Sequence, residues 1–207
     1  MADTPVSDVL AAFSSSAPTP GGGSAAALAS ALGTSLLIMV SGLAKTRTGA
    51  DGERTALAAA TPTLVELRDR LTQAIDDDAA AYDRVIAAYT HPKATPDEQR
   101  IRKAAIQTAL RGATDVPLAV VRLSAAALKA AETIADNGHP GAASDVGVAV
   151  ALLRAGLHGA RLNVEINLGS VRDEVYTGAT RGELERLARQ ARDAGEAAER
   201  SLARSGG

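Results

Sequence analysis

The sequence predicts an all-α fold: a single-domain bundle of about six to eight helices over residues 1–207, with a long small-residue helix at its centre. Three observations predict it. No stretch alternates apolar and polar residues for long, so strands are not expected. Apolar residues recur at helical spacing between breaks rich in Pro and Gly. The 207 residues are 46% hydrophobic but only 2% aromatic, which suits helices packed closely through small side chains.

Each element follows from local signals. Residues 6–14 predict a short opening helix with Val6, Val9, Leu10 and Phe13 on one face. PTPGGGSAAALASALG (18–33) stops the chain, then starts a helix with Ala25, Ala29 and Gly33 on one stripe. Residues 24–44 have the length of a membrane span. Their serines, threonine and glycines dilute it and no second span follows, so the reading is a core helix and no membrane partner. Residues 45–54 read as a loop. Thr61-Pro62 starts or kinks a long helix that ends near Tyr89, where His91-Pro92 breaks it.

Thr95-Pro96-Asp97-Glu98 is a helix start, with Thr as cap, Pro at the first position and Glu three after the cap. That helix runs to about Thr114, and Pro117 is expected to kink it before it continues to Asp136. Asn137-Gly138 is a stop, with Pro140 beyond. Ser144 is the expected cap of the next helix, with Asp145 in its first turn, and that helix reaches about Leu168. Residues 181–204 are amphipathic, through Leu184, Leu187, Ala191, Ala194 and Leu202. There is no internal repeat and no low-complexity linker.

Composition narrows the function. The net charge of -2 gives no basic footprint for nucleic acid. With no cysteine there is neither a disulfide framework nor a thiolate metal site. His91, His139 and His158 lack the paired spacing of a metal centre, so no metal is expected. MADTPVSDVL does not read as a signal peptide, and the cytoplasm is the expected compartment.

Several polar residues fall where the pattern asks for apolar ones. In the helix ending at Tyr89 the stripe steps Leu64, Leu67, Leu71, Ile75, then Tyr82, Val85 and Tyr89, and the missing step is Asp78. A carboxylate on that face is either a cap on a neighbouring helix end or a functional group with a raised pKa. In the next-to-last helix Asp145, Asn163 and Asn167 share a face. Asp145 and Asn163 are about 27 Å apart at 1.5 Å rise per residue, so they serve opposite ends of a long ligand or different subunits' sites if both are functional. The other reading of the two Asn is interhelical hydrogen bonding. Lys93, in the HisProLys loop, faces either a cleft or water. The glycines of 21–23 and Ser24 expose backbone N–H groups at a helix start, able to hold a carboxylate or a carbonyl oxygen.

Four segments, SSSAPTPGGGSAAALASALG (14–33), DDDAAAYDRVIAAYTHPKATPDE (76–98), AAIQTALRGATDVPLAV (104–120) and NGHPGAASDVGVAVALL with NVEINLGSVRDE (137–174), together resemble the cyclodeaminase/cyclohydrolase family of folate one-carbon enzymes. The resemblance implies an all-helical homodimer that binds a tetrahydrofolate derivative near the subunit interface, with no permanently bound cofactor. It implies hydrolysis of 5,10-methenyltetrahydrofolate to 10-formyltetrahydrofolate. The alternative is deamination of 5-formimidoyltetrahydrofolate, and from another class a non-catalytic folate binder or helical scaffold.

The residues matched to these roles are Asp145, with Asp78 second, as the catalytic carboxylate, Lys93 as proton relay and Gln107 to position water. Thr19, Pro20, Gly21, Gly22, Gly23, Ser24, Tyr82, Asn163 and Asn167 are matched to folate binding. The segment LAKTRTGADGER after the Gly-rich helix departs from the Lys-rich run the resemblance leads one to expect, and Lys45 and Arg47 are its substitutes.

Overall fold

The structure, a computed structural model, describes residues 1 and 4–205, the last by its backbone only. Among the described residues six α-helices follow in order: α1 Val6–Phe13, α2 Gly22–Ser41, α3 Asp51–Tyr89, α4 Pro96–Asn137, α5 Ala143–Leu168 and α6 Glu174–Ser205. A short 3-10 turn, Pro140–Ala142, precedes α5. The only strand-like pairing among the described residues is an isolated bridge between Thr46 and Gly138.

Helices α2, α3, α4 and α5 form a ring in which each packs on the next and α5 returns to α2. α3 runs antiparallel to α2: Ser24 meets Ile75 and Asp78 at one end, Ser41 meets Thr61 at the other. α5 also runs antiparallel to α2. A Cβ at Gly22 would touch Asn163, one at Gly156 would overlap Ser30, and one at Gly33 would meet Ala149 and Leu153. These small residues let the two axes approach closely. Within the ring the hydroxyl of Ser124 donates to that of Ser30 at 2.7 Å, and both side chains are fully buried. α6 lies along the outside of α4 and α5, parallel to α4 through the Asp115–Tyr176 and Arg122–Glu183 pairs.

α2 has the length and composition of a membrane span, but over half of that window is buried by its neighbours. Leu37, Val40, Leu64, Leu71, Leu128, Ile134 and Leu153 fill the centre.

Several expectations are corrected. α3 begins at Asp51, ten residues before Thr61-Pro62, because Asp51 and Glu53 in its first turn suit the helix dipole. Pro62 sits within the helix, where the Thr61 hydroxyl donates to the Leu57 carbonyl. Pro117 likewise lies inside the single helix α4. Ser144 does not cap α5; the preceding residue Ala142 is the cap and makes no side-chain bond. The chain is carried in by His139, whose Nδ1 accepts from the Gly141 N–H at 3.1 Å. α6 starts at Glu174 rather than 181. The predicted face of α1 is largely open, with Val6 74% and Leu10 62% exposed and only Val9 buried. Thr95 forms the predicted capping box with Glu98.

Candidate functional site

The glycine-rich turn and Asp78 build one corner of the molecule. The Thr19–Pro20 peptide is cis, Gly21 is the extended N-cap of α2, and Gly22 opens the helix. The Asp78 carboxylate, reaching across from α3, accepts from the Ser24 N–H at 2.8 Å and from the Ser24 hydroxyl at 3.0 Å. The same hydroxyl contacts the Ile75 carbonyl at 2.9 Å. Gly23 leaves room for this arrangement, because a Cβ there would overlap the Asp78 carboxylate and force it to shift. Asp78 thus caps α2 from outside the chain segment, the task α2's own N-cap glycine lacks the side chain to do.

The electrostatics of the corner are mixed. Burial pushes the Asp78 carboxyl above its ordinary 3.8, and the two bonds from Ser24 oppose that rise. The N–H groups of Gly22 and Gly23 have no hydrogen-bond partner among the described residues and point out of the helix end. Next to them stands Asn163, whose Nδ2 donates to the Gly159 carbonyl at 2.9 Å, leaving its oxygen free. Tyr82 follows one turn after Asp78 and is exposed. The corner therefore offers a carboxylate for a cation, backbone donors for an oxyanion or carbonyl, and an open aromatic face.

Other predicted residues lie elsewhere in the chain. Asp145 is in the first turn of α5, beyond Ala149 toward the C-terminal end of α2, and is half-buried without a hydrogen-bond or ion-pair partner among the described residues. Lys93 sits past the end of α3, which continues eleven residues beyond Asp78, about 16 Å at the helical rise. Gln107 holds the α5–α6 connection: its Nε2 donates to the Ser170 carbonyl at 3.2 Å and its oxygen accepts from the Arg172 N–H at 2.8 Å. Asn167 ties α5 to α4 by donating to the Ala113 carbonyl at 2.7 Å. One chain thus brings together Thr19–Ser24, Asp78, Tyr82 and Asn163, and separates them from Asp145, Lys93 and Gln107.

The loop after α2 is built for structure. Glu53 accepts from the Thr46 hydroxyl, the Thr48 N–H and hydroxyl, and the Gly49 N–H. The Thr48 amide and the Thr46 hydroxyl, in that order, lower its pKa to about 2. Arg47 is committed to the end of α4, donating to the Asp136 carbonyl at 3.1 Å and to Ser201, so it does not substitute for a ligand-holding lysine. Lys45 is exposed.

Sequence reasoning missed a polar cluster between α4 and α6. Arg111 pairs with Asp173 at 3.1 Å and lies over the Tyr176 ring at 4.6 Å. The Tyr176 hydroxyl donates to Asp115 at 2.6 Å. Burial first, then that bond, pushes its pKa to about 12. No spacing in the sequence announces a contact between residues 61 apart. Open grooves of about 670 Å³ beside Arg54 and Pro62 and 520 Å³ between Arg122 and Gln190 touch none of the residues matched to catalysis or folate binding. Among the described residues no cluster of His, Asp or Glu suits a metal ion.

Comparison with known proteins gives consistent results. The sequence model of the formiminotransferase-cyclodeaminase family matches residues 5–186. The chain is 41% identical over 182 residues to a methenyltetrahydrofolate cyclohydrolase of Methylorubrum extorquens, covering 88% of each. It is 34% identical over 173 residues to the formimidoyltransferase-cyclodeaminase of Rattus norvegicus, covering 84% of this chain but only 32% of that larger protein. The crystal structure of a formiminotetrahydrofolate cyclodeaminase from Thermotoga maritima superposes with a TM-score of 0.85 at 25% identity, covering 97% of this chain and 96% of that one.

Proposed function

The chain belongs to the formiminotransferase-cyclodeaminase family, and from that premise we propose that it hydrolyses 5,10-methenyltetrahydrofolate to 10-formyltetrahydrofolate. The observation that carries this choice is the 41% identity to a methenyltetrahydrofolate cyclohydrolase, against 34% to the formimidoyltransferase-cyclodeaminase.

The substrate's N5–CH–N10 bridge is a delocalised cation. Water adds to its carbon and loses a proton to leave a hydroxyl. As the carbon–N5 bond breaks, N5 takes up a proton and the hydroxyl gives up its own. The formyl group stays on N10 and one proton is released net. A carboxylate beside the bridge stabilises the cation and receives the proton of water. Asp78 is a half-buried carboxylate at the Gly-rich corner and serves the first purpose. The open N–H groups of Gly22 and Gly23 stabilise the oxygen that develops negative charge as water adds.

A second copy completes the site in this reading. α2 and α5 leave an open apolar face containing Leu32, Met39, Val148, Leu162 and Ile166. The Gly-rich turn is at one end of that face and Asp145 at the other, because the helices are antiparallel. A two-fold axis through its middle would set the partner subunit's Asp145 beside this chain's Gly21–Ser24 turn. Asp145 then supplies the base, and the separation of Asp78 from Asp145 within a chain is what a shared site requires. An equimolar mixture of inactive Asp78→Asn and Asp145→Asn proteins, unfolded and refolded together, is expected to recover about a quarter of wild-type turnover by random pairing of subunits. No recovery would contradict the shared site.

The near-complete superposition on a cyclodeaminase supports a second reading. There N10 attacks the formimidoyl carbon on N5 and ammonia leaves, with the same carboxylates handling protons. Assay of both substrates with one preparation separates the two.

A further inference from the structure

Helix α1 lacks a partner inside its own chain. It packs along no other helix among the described residues, and only Val9 of its eight residues is buried. Val6, Leu10 and Phe13 stand at i, i+4 and i+7, so they share one side of the helix. Val6 is 74% and Leu10 62% exposed. An amphipathic helix removes such a side from water by laying it in an apolar groove. The chain just before α1 is anchored on α3: the Met1 ammonium pairs with Asp76 at 2.8 Å, and the Met1 side chain packs on the core.

An apolar groove of about 670 Å³ is open at the other end of the same side of α3. Its walls are Leu43, just past the end of α2, and Leu57, Ala58, Thr61, Pro62 and Val65 of α3. Ala58 and Asp76 are eighteen residues apart on one unbroken helix. That is five turns, so the two point the same way and lie about 27 Å apart. Within one chain, α1 therefore begins at one end of this side and the groove lies at the other. An apolar cavity of about 150 Å³ takes a benzene ring, so the groove has room for the Val6 and Leu10 side chains together.

The groove is continuous with the open face of α2. That face runs through Leu32, Leu36 and Met39 and passes into Leu43 at the groove, in steps of four, three and four. Its opposite end is the Gly-rich turn, into which α1 leads. A two-fold axis through the middle of α2 exchanges the two ends, so each groove faces the partner's Gly-rich turn and the helix before it. We propose that α1 is an exchanged arm, with Val6, Leu10 and Phe13 seated in the groove between α2 and α3 of the partner subunit. The proposal rests on the two-subunit site above and deepens it. The seven residues between Phe13 and Gly21 span at most about 25 Å. A seated arm therefore ties the Gly-rich turn of one subunit to the body of the other.

Sedimentation equilibrium of the full chain tests this through the monomer–dimer constant. The wild type is expected to be dimeric, and Val6→Ser/Leu10→Ser to raise its dissociation constant about tenfold or more. Ala58→Glu, which sets a charge in the groove, is expected to do the same. Val6, Leu10 and Ala58 are all exposed, and thermal unfolding checks that each variant is folded. The chain has no cysteine, so cross-linking reads the placement directly. Leu10→Cys and Ala58→Cys proteins, unfolded and refolded together and treated with a mild oxidant, are expected to give a disulfide-linked dimer, and neither protein alone. Val65→Cys in place of Ala58→Cys samples a second position in the groove. A dimer as tight in both surface variants as in the wild type, or no cross-link from Leu10→Cys to either groove position, overturns the arm while the dimer stands. Leu10→Cys linked to itself puts α1 against α1 and overturns the arm too. A wild type that stays monomeric overturns the arm and the shared site together. Turnover of the methenyl substrate is assayed separately, so failure of the arm and failure of the hydrolase reading are told apart.

Discussion

The carboxylate of Asp78 accepts both the backbone N–H and the hydroxyl of Ser24, at 2.8 and 3.0 Å, and so fastens the start of α2 to the middle of α3. One side chain does two things there. It satisfies a helix end that the glycine N-cap leaves bare, and it keeps a carboxylate at the open corner of the bundle.

Gly23→Ala places a methyl group where the Asp78 carboxylate now sits. The carboxylate must withdraw, and its bonds to Ser24 go with it. A loss of about 1–3 kcal/mol in urea unfolding is expected, as for a side chain forced into a filled space. Gly22→Ala, which meets Asn163 only at 3.5 Å, is expected to cost about 1 kcal/mol or less.

The stability difference between wild type and Asp78→Asn should depend on pH. Asp78 has its folded pKa raised above 3.8, with burial the larger cause. Its contribution is therefore fully present below that value and is lost as pH rises through the folded pKa. Urea unfolding of both proteins from about pH 4 to pH 7 should show the wild type losing ground to the variant as pH increases. A gap that widens with pH would mean that the Ser24 bonds and the helix dipole outweigh burial.

Glu53, lowered to about 2 chiefly by the Thr48 amide, holds the loop before α3 at any pH above its ordinary 4.5 and releases it only as pH falls through the folded value. Glu53→Ala should accelerate hydrogen exchange at the Thr48 and Gly49 amides at neutral pH. Unchanged protection at both would show that the loop is held by something else.

Tyr176 is expected to ionise late, near pH 12. Alkaline titration followed by tyrosinate absorbance should lose that last step in Tyr176→Phe. The same substitution removes one hydrogen bond to Asp115 and should cost about 0.5–1.5 kcal/mol at neutral pH.

Much of this was legible in the sequence, and the misses have physical causes. The capping box at Thr95, the stop at Asn137 and the end of α5 at Leu168 depend on local chemistry, and local chemistry is what a sequence displays. The apolar stripe of α3 is buried through Leu64, Leu67, Leu71 and Ile75, yet its continuation through Tyr82 and Tyr89 is exposed. Periodicity records which residues share a face but not how far the neighbouring helix extends. α3 passes the first turn of α2, so the same face changes from core to surface. Asp78 was visible as an anomaly, while its partner Ser24, 54 residues away, was not. The separation of Asp145 from Asn163 was calculable from helical rise alone, but the antiparallel packing of α2 and α5 was needed to set Asp145 at the far end from the glycine turn.

The most direct measurement follows the absorbance of 5,10-methenyltetrahydrofolate with and without the wild-type protein, in a buffer whose own hydrolysis rate is known. Loss of the methenyl band in proportion to enzyme, with 10-formyltetrahydrofolate accumulating, is the predicted result. A rate no greater than the buffer's, in a folded preparation at saturating substrate, would contradict it.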